Sequence, residues 1–179
     1  MSIKKVNNLY NKNILFLGYG RNETSLIDEL VKHNCNVTHI NNVLKSISEY
    51  DLVISFGYRH ILDKKIIEEN IPIINLHISF LPWNRGYHPN FWSFFDNTPA
   101  GVTIHFIDKG IDTGDIIYQR KIKFKAHENT FAKTHIRLIY EIEKLFIENI
   151  ENIIMKKYKR MPQKEKGSYH NSYDLPKDF

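Results

Sequence analysis

Ile14-Leu15-Phe16-Leu17-Gly18-Tyr19-Gly20 is a run of four large apolar residues that ends in a glycine-flanked turn. Unbroken apolar residues, with no polar alternation, suit a strand buried on both faces, as in a parallel sheet. Directly after it, Leu26, Ile27, Leu30 and Val31 recur at spacings of three and four, which predicts an amphipathic helix. The same unit returns further along. Strands are predicted at 37–40, 52–56 and 73–76, with a brief helix over 63–69 that Pro72 stops. Strands alternating with helices predict an α/β fold built on a largely parallel, twisted sheet flanked by helices.

The middle of the chain changes character. Residues 77–89 carry two prolines and a glycine among few apolar pairs, so a long loop is expected there, followed by a helical segment over 90–95. In 101–106, Val102, Ile104 and Phe106 alternate with Thr103 and His105, the pattern of a half-buried strand. A turn-rich loop at 108–115 and a further strand at 116–124 follow. Phe131, Leu138, Ile142, Leu145, Phe146 and Ile153 then mark a long amphipathic helix, with Asn129 or Thr130 placed to cap it. This predicts a single domain over residues 1–160 and a short basic C-terminal tail over 161–179.

Composition narrows the function classes. The chain has 179 residues, of which 42% are hydrophobic, 13% aromatic and 25% charged, the balance of a folded protein rather than a disordered one. A lone cysteine, Cys35, cannot close an internal disulfide, which points to a reducing compartment. The first residues are too polar for a secretory signal, and no apolar run approaches the ~18 residues of a membrane span, so a cytoplasmic protein without a membrane partner is expected. The net charge is +5. Much of the excess lies late, in Lys156, Lys157, Lys159, Arg160, Lys164 and Lys166, and reads as a solvated helix end and tail. With no recognition-helix, zinc-finger or RNP pattern beside it, the charge does not predict a nucleic-acid partner. It does suit an anionic small molecule.

Two loops concentrate side chains capable of chemistry. One runs Asn75-Leu76-His77-Ile78-Ser79-Phe80-Leu81-Pro82-Trp83-Asn84-Arg85-Gly86, the other Asp108-Lys109-Gly110-Ile111-Asp112-Thr113-Gly114-Asp115. Both follow predicted strands, and open α/β sheets bind ligands beyond the carboxyl ends of their strands. Asn75 and His77 are two apart at a strand end, so both project from one face. An amide donor, an imidazole titrating near neutrality and a carboxylate to orient it together fit attack of an amine on a carbonyl. A structural histidine beside a glycine-rich turn is the plainer alternative. Nine histidines also permit a metal site using His77, His88 or His105 with Asp108 or Asp112. No HxxxH or HxH ligand pattern accompanies them, however, and no metal is predicted.

Asn75-Leu76-His77, followed by Ser79, Leu81-Pro82 and Arg85-Gly86 and later by Ile111-Asp112-Thr113-Gly114-Asp115, resembles the signature of the folate-dependent formyltransferases. That superfamily includes glycinamide ribonucleotide, methionyl-tRNA and nucleotide-sugar N-formyltransferases. The resemblance implies a Rossmann-like formyltransferase fold and a formyl donor, N10-formyltetrahydrofolate. By position, Asn75 would polarise the formyl carbonyl, His77 would assist the tetrahedral intermediate and the proton transfers, and Asp112 would orient His77. Asp115 is the rival carboxylate. The run from Asp51 to Leu62 is similar to the strand and loop that hold the pterin ring. Tyr58, Arg59, His60, Ile61 and Leu62, with Asp108, Lys109, Gly110 and Ile111, are therefore the implied cofactor contacts.

The acceptor is read from the loop wording. Leu81-Pro82-Trp83-Asn84-Arg85-Gly86, Pro89-Asn90-Phe91-Trp92-Ser93 and Gly167-Ser168-Tyr169-His170 are closest to the nucleotide-sugar enzymes. The resemblance spans roughly residues 14–170. It implies a nucleotide-linked amino sugar as substrate, Arg85, Trp83 and Tyr87 as substrate contacts, pairing into a homodimer, and a place in lipopolysaccharide O-antigen biosynthesis. Arg85 could instead anchor its loop, and Trp83, Tyr87, Phe91 and Trp92 could be packing. Gly18-Tyr19-Gly20-Arg21-Asn22 faintly resembles the phosphate turn of glycinamide ribonucleotide enzymes. Glu23 stands where a dinucleotide fingerprint has its third glycine, so a plain strand-to-helix turn is the stronger reading.

Overall fold

The computed structural model describes residues 11–177. A six-stranded sheet runs in the order β2 (Asn36–Ile40), β1 (Asn13–Gly18), β3 (Leu52–Phe56), β4 (Ile73–His77), β6 (Gly101–Phe106) and β7 (Ile116–Lys121). The first four strands pair in parallel, whereas β4–β6 and β6–β7 are antiparallel. The helices are α1 (Leu26–Lys32), α2 (Lys64–Ile67), α3 (Pro89–Phe95), α4 (Phe131–Glu148) and α5 (Ile150–Ile154). Two short segments, β5 (Arg85–Gly86) and β8 (Tyr169–His170), pair in parallel apart from the main sheet.

β1 is buried from Ile14 to Gly18, as an unbroken apolar run requires, and its side chains divide by parity. Ile14 and Phe16 join Ile54 and Phe56 of β3 in a core closed by Leu26 and Leu30 of α1 and by Leu138, Ile142 and Phe146 of α4. Leu15 and Leu17 enter a smaller core on the other face, with Val53, Leu62, Ile66 and Ile73. Helices thus cover both faces of the parallel half of the sheet, which is why its strands read as continuous hydrophobic runs.

Several expectations are corrected in detail. β6 is buried at all six positions instead of alternate ones. Helix α4 lies over one face, and the loop after β4 lies over the other: the Thr103 hydroxyl donates to the Ser79 carbonyl at 2.7 Å and accepts from the Leu81 N–H at 3.2 Å. The last strand stops at Lys121 rather than 124. The long helix breaks at Asn149, whose amide donates to the Leu145 carbonyl at 2.8 Å. Thr130, not Asn129, caps α4 by accepting the Lys133 N–H at 3.3 Å. Val31 and Phe131 fall outside the buried stripes of their helices, at 44% and 41% exposure.

The largest departure concerns the C-terminal segment. Residues 161–179 were expected as a short basic tail; the described part, 161–177, folds back along the site. Met161 and Ile116 exchange two backbone hydrogen bonds, at 2.8 and 2.9 Å. Ser168 donates to the Pro82 carbonyl at 3.2 Å and its own carbonyl accepts from Arg85 N–H at 3.0 Å, while the His170 carbonyl accepts from Tyr87 N–H at 3.0 Å. High polarity concealed this because the segment is held by hydrogen bonds rather than by an apolar stripe.

Phe146→Ala is expected to destabilise the protein by about 3–5 kcal/mol, because it opens a cavity beneath the sheet. The exposed Ile136→Ala on the same helix should cost no more than about 0.5 kcal/mol. Urea unfolding of both variants checks this, and equal losses would contradict the packing described.

Candidate active site

Strand pairing brings the chemical groups together. β4 and β6 run side by side with Asn75 opposite His105, and the loop after β6 returns so that Asp112 reaches both. Asp112 adopts a left-handed backbone, φ 53°, which Asp tolerates better than most residues because its short side chain can bond locally. One carboxylate oxygen, Oδ2, accepts the Gly86 N–H at 2.8 Å and lies 3.7 Å from His77 Nδ1. The other, Oδ1, lies 3.4 Å from both Asn75 Nδ2 and His105 Nε2.

Each imidazole has a second neighbour. His77 Nε2 is 3.3 Å from the Asn84 carbonyl, so both of its nitrogens face acceptors. A neutral ring can satisfy one of them; only the protonated ring donates to both. His105 Nδ1 is 2.8 Å from the Phe106 carbonyl, and its Nε2 is 3.3 Å from Asn75 Nδ2 and 3.4 Å from Asp112 Oδ1.

Burial sets the charges. It is the largest influence on His77 and pushes the imidazole below its ordinary value; the His105 ring adds to this, while Asp112 and the Asn84 carbonyl oppose it. Burial also works against ionisation of Asp112. The His77 and His105 rings and the Gly86 N–H nevertheless hold its carboxyl well below the usual range. At neutral pH the pair is a neutral imidazole beside an ionised carboxylate.

A cavity of about 490 Å3 opens beside these groups, with Asn75, His105 and Asp112 in its wall. Tyr58, His60, Ile61 and Leu62 from the loop after β3 line one side, and Asp108, Lys109, Gly110 and Ile111 another. Arg59, expected with them, is exposed and absent from the wall. The size lies within the range of small-molecule sites, and Ile61, Leu62, Ile107 and Ile111 give the apolar walls that a flat heterocycle such as a reduced pteridine would need.

Trp83, Arg85 and Tyr87 are not in this wall either. The Arg85 guanidinium is engaged by Gln163 Oε1, at 2.9 and 3.2 Å, and by the Lys166 carbonyl at 3.4 Å. That is the anchoring arrangement. Trp83 is half-buried and its carbonyl accepts the Ser79 hydroxyl, while Tyr87 is 46% exposed. Phe91 and Trp92 are buried, Trp92 lying flat on the His170 ring with centroids 3.8 Å apart.

The turn after β1 closes on itself. The Glu23 carboxylate accepts the Gly20 N–H at 3.0 Å and so occupies an amide that a phosphate would need. Asp115 is drawn away from the site by Arg160, at 2.9 Å. Among the described residues no group of three or more His, Cys, Asp or Glu side chains could hold a metal ion. None of the described helices is long and apolar enough to cross a membrane.

His105 and Gln163 are the site residues that sequence reasoning missed. His105 was read as the polar half of an alternating strand and otherwise only as a metal candidate; its place opposite Asn75 exists only once β4 and β6 pair.

An amide donor, an imidazole and a buried carboxylate thus meet beside a cavity on an α/β sheet. The chain belongs to the formyl transferase family, which it matches over residues 33–150. It is 42% identical to the formyltransferase PseJ from Anoxybacillus kamchatkensis, solved in complex with UDP-4,6-dideoxy-4-formamido-L-AltNAc and tetrahydrofolate. The superposition covers 90% of this chain and 87% of that one, with a TM-score of 0.84. It is also similar to the dTDP-4-amino-4,6-dideoxyglucose formyltransferase of Mycobacterium bovis, 30% identical over 81% of this chain and 58% of that protein. With the methionyl-tRNA formyltransferase of Clostridium tetani it shares 34% identity over 72% of its own length and 42% of the relative's. The chain thus spans just over half the length of the mycobacterial relative.

The His77 ring should titrate below the ordinary 6.5, followed by its ring-proton NMR shifts. Asp112→Asn should lower it further, since the carboxylate is what favours the charged ring. A midpoint at or above the ordinary value, or a rise in the variant, would contradict the geometry.

Proposed function

We propose that the protein transfers a formyl group from N10-formyltetrahydrofolate to the primary amine of a nucleotide-linked amino sugar. The observation that carries this reading is the convergence of Asn75, His77 and His105 on Asp112 beside a cavity of about 490 Å3. The bound folate would supply the formyl group, with the loop residues 58–62 and 108–111 around its ring. Arg59 and Lys109 are exposed and could contribute main-chain contacts there.

The roles of the residues follow from their charges and partners. As the amine nitrogen bonds to the formyl carbon, negative charge grows on the formyl oxygen. Asn75 donates an N–H to that oxygen, exchanging one of its long contacts to His105 and Asp112, at 3.3 and 3.4 Å, for a better one. The neutral His77 takes up the proton that the amine releases. The resulting imidazolium finds an acceptor on each nitrogen, Asp112 and the Asn84 carbonyl, so the arrangement favours the ring as it becomes charged. The same proton can pass on to the departing nitrogen as its bond to the formyl carbon breaks.

For the acceptor, similarity to PseJ and to the mycobacterial enzyme supports an amino sugar carried on a nucleotide. Trp83, Arg85 and Tyr87 do not line the cavity, and Tyr87 is exposed enough to meet a substrate outside it. A glycinamide ribonucleotide acceptor is less well supported, because Glu23 takes the amide that its phosphate would use. In the full reading the enzyme works in the cytoplasm as a homodimer, without nucleic acid or membrane, and serves assembly of surface polysaccharide such as the O-antigen.

Asn75→Ala, His77→Ala and Asp112→Ala should each abolish or severely slow turnover while the fold melts cooperatively. Loss of one oxyanion donor alone is worth about 2.7–4 kcal/mol in the barrier. The measurement is tetrahydrofolate release with a panel of nucleotide-linked amino sugars. Wild-type rates in His77→Ala would end this assignment of roles.

A further inference from the structure

The polar segment after α5 contributes one side chain whose contacts are complete. Gln163 Nε2 donates one hydrogen to the Asp112 carbonyl at 2.9 Å and the other to the Gly114 carbonyl at 2.8 Å. Its Oε1 accepts twice from Arg85, at 2.9 and 3.2 Å. Two donors and two acceptor positions are all that a carboxamide has, and each is in use.

These bonds close a ring. Asp112 is held through its carboxylate by the Gly86 N–H at 2.8 Å, Gly86 is joined covalently to Arg85, Arg85 grips Gln163, and Gln163 returns to the Asp112 main chain. The loop has little other freedom. A side chain at Gly114 would place its Cβ 1.9 Å from the Phe106 carbonyl, and one at Gly86 would place it 2.3 Å from the His170 carbonyl. Both loops are pressed against neighbouring backbone, and Gln163 bonds the Arg85 side chain and the main chain of the Asp112 turn together.

We infer that Gln163 is a positioning residue for the reaction, which sets where the Asp112 carboxylate stands relative to His77. The contacts call for a carboxamide of this length. Glu has no hydrogen to give the two carbonyls, Met has neither donor nor acceptor of comparable strength, and Asn is one carbon too short to reach both loops. The inference rests on the reading of Asp112 and His77 as catalytic, but its first test does not use turnover.

Gln163→Met removes all four bonds; Gln163→Glu keeps the pairing with Arg85 and loses the two donations to the Asp112 turn. In Gln163→Met the His77 titration followed by NMR should move down, toward the Asp112→Asn value, since a displaced carboxylate supports the charged ring less; Gln163→Glu, which itself adds a carboxylate near the ring, is read by kcat. Formyl transfer should lose kcat by up to about 100-fold, with KM for the folate little changed. Should the wild type transfer no formyl group to any acceptor, that would count against the proposed reaction, and the titration alone would decide this inference. An unmoved titration in Gln163→Met would overturn it, as would Gln163→Glu matching the wild type, which would leave only the Arg85 anchor. If Gln163→Met does not fold, Gln163→Glu decides; failure of both to melt cooperatively would make the residue structural and overturn the inference too.

Discussion

The site depends on one ionised carboxylate held where burial alone would neutralise it. Asp112 remains charged because a backbone N–H meets it at 2.8 Å and two imidazoles face it. A buried charge needs such fixed partners, since its hydration is lost on folding. Moving the Gly86 N–H or either ring would change the proton affinity of His77 as well as that of Asp112. Orientation and proton affinity are therefore governed by the same few contacts.

The scaffold supplies that precision by being dry elsewhere. β1 is apolar on both faces, closed by α1 and α4 on one side and by Leu44, Ile47 and Ile66 on the other. Buried Thr103 is bonded to the loop after β4, and buried Glu141 pairs with Arg120 and Arg137, at 3.2 and 2.8 Å, whereas Asn90 Oδ1 and Trp92 Nε1 are buried without a hydrogen-bond partner. Cys35 is buried too, and burial pushes its thiol up to about 11, which keeps it inert. Reactive character is thus confined to the strand ends.

The two sides of Asp112 differ in construction. Toward the cavity lie loops with exposed Ile61, Lys109 and Ile111, suited to a ligand held largely by backbone and apolar contact. Toward Gly86 lies a braced arrangement in which Arg85, Gln163, Ser168 and His170 are tied to one another's segments. A transfer reaction needs both, a pocket that admits the donor and a rigid post that keeps the proton-handling groups in register.

The sheet, its alternation with helices and the candidacy of Asn75, His77 and Asp112 were legible in the chain, because hydrophobic periodicity and motif spacing are local properties. Eight of the nine residues named for the folate cavity also line it, since they follow strands whose ends could be read directly. His105 and Gln163 were not legible as site residues. One depends on antiparallel pairing between β4 and β6, and the other on a polar segment returning across the molecule from beyond α5. Hydrogen bonds between distant residues leave no periodic trace, so although Gly167–His170 already carried a resemblance, only the tertiary structure could decide how the last segment is held and that Arg85 is an anchor. The amino-acid order determined which groups were available for chemistry; the folded chain determined which of them meet.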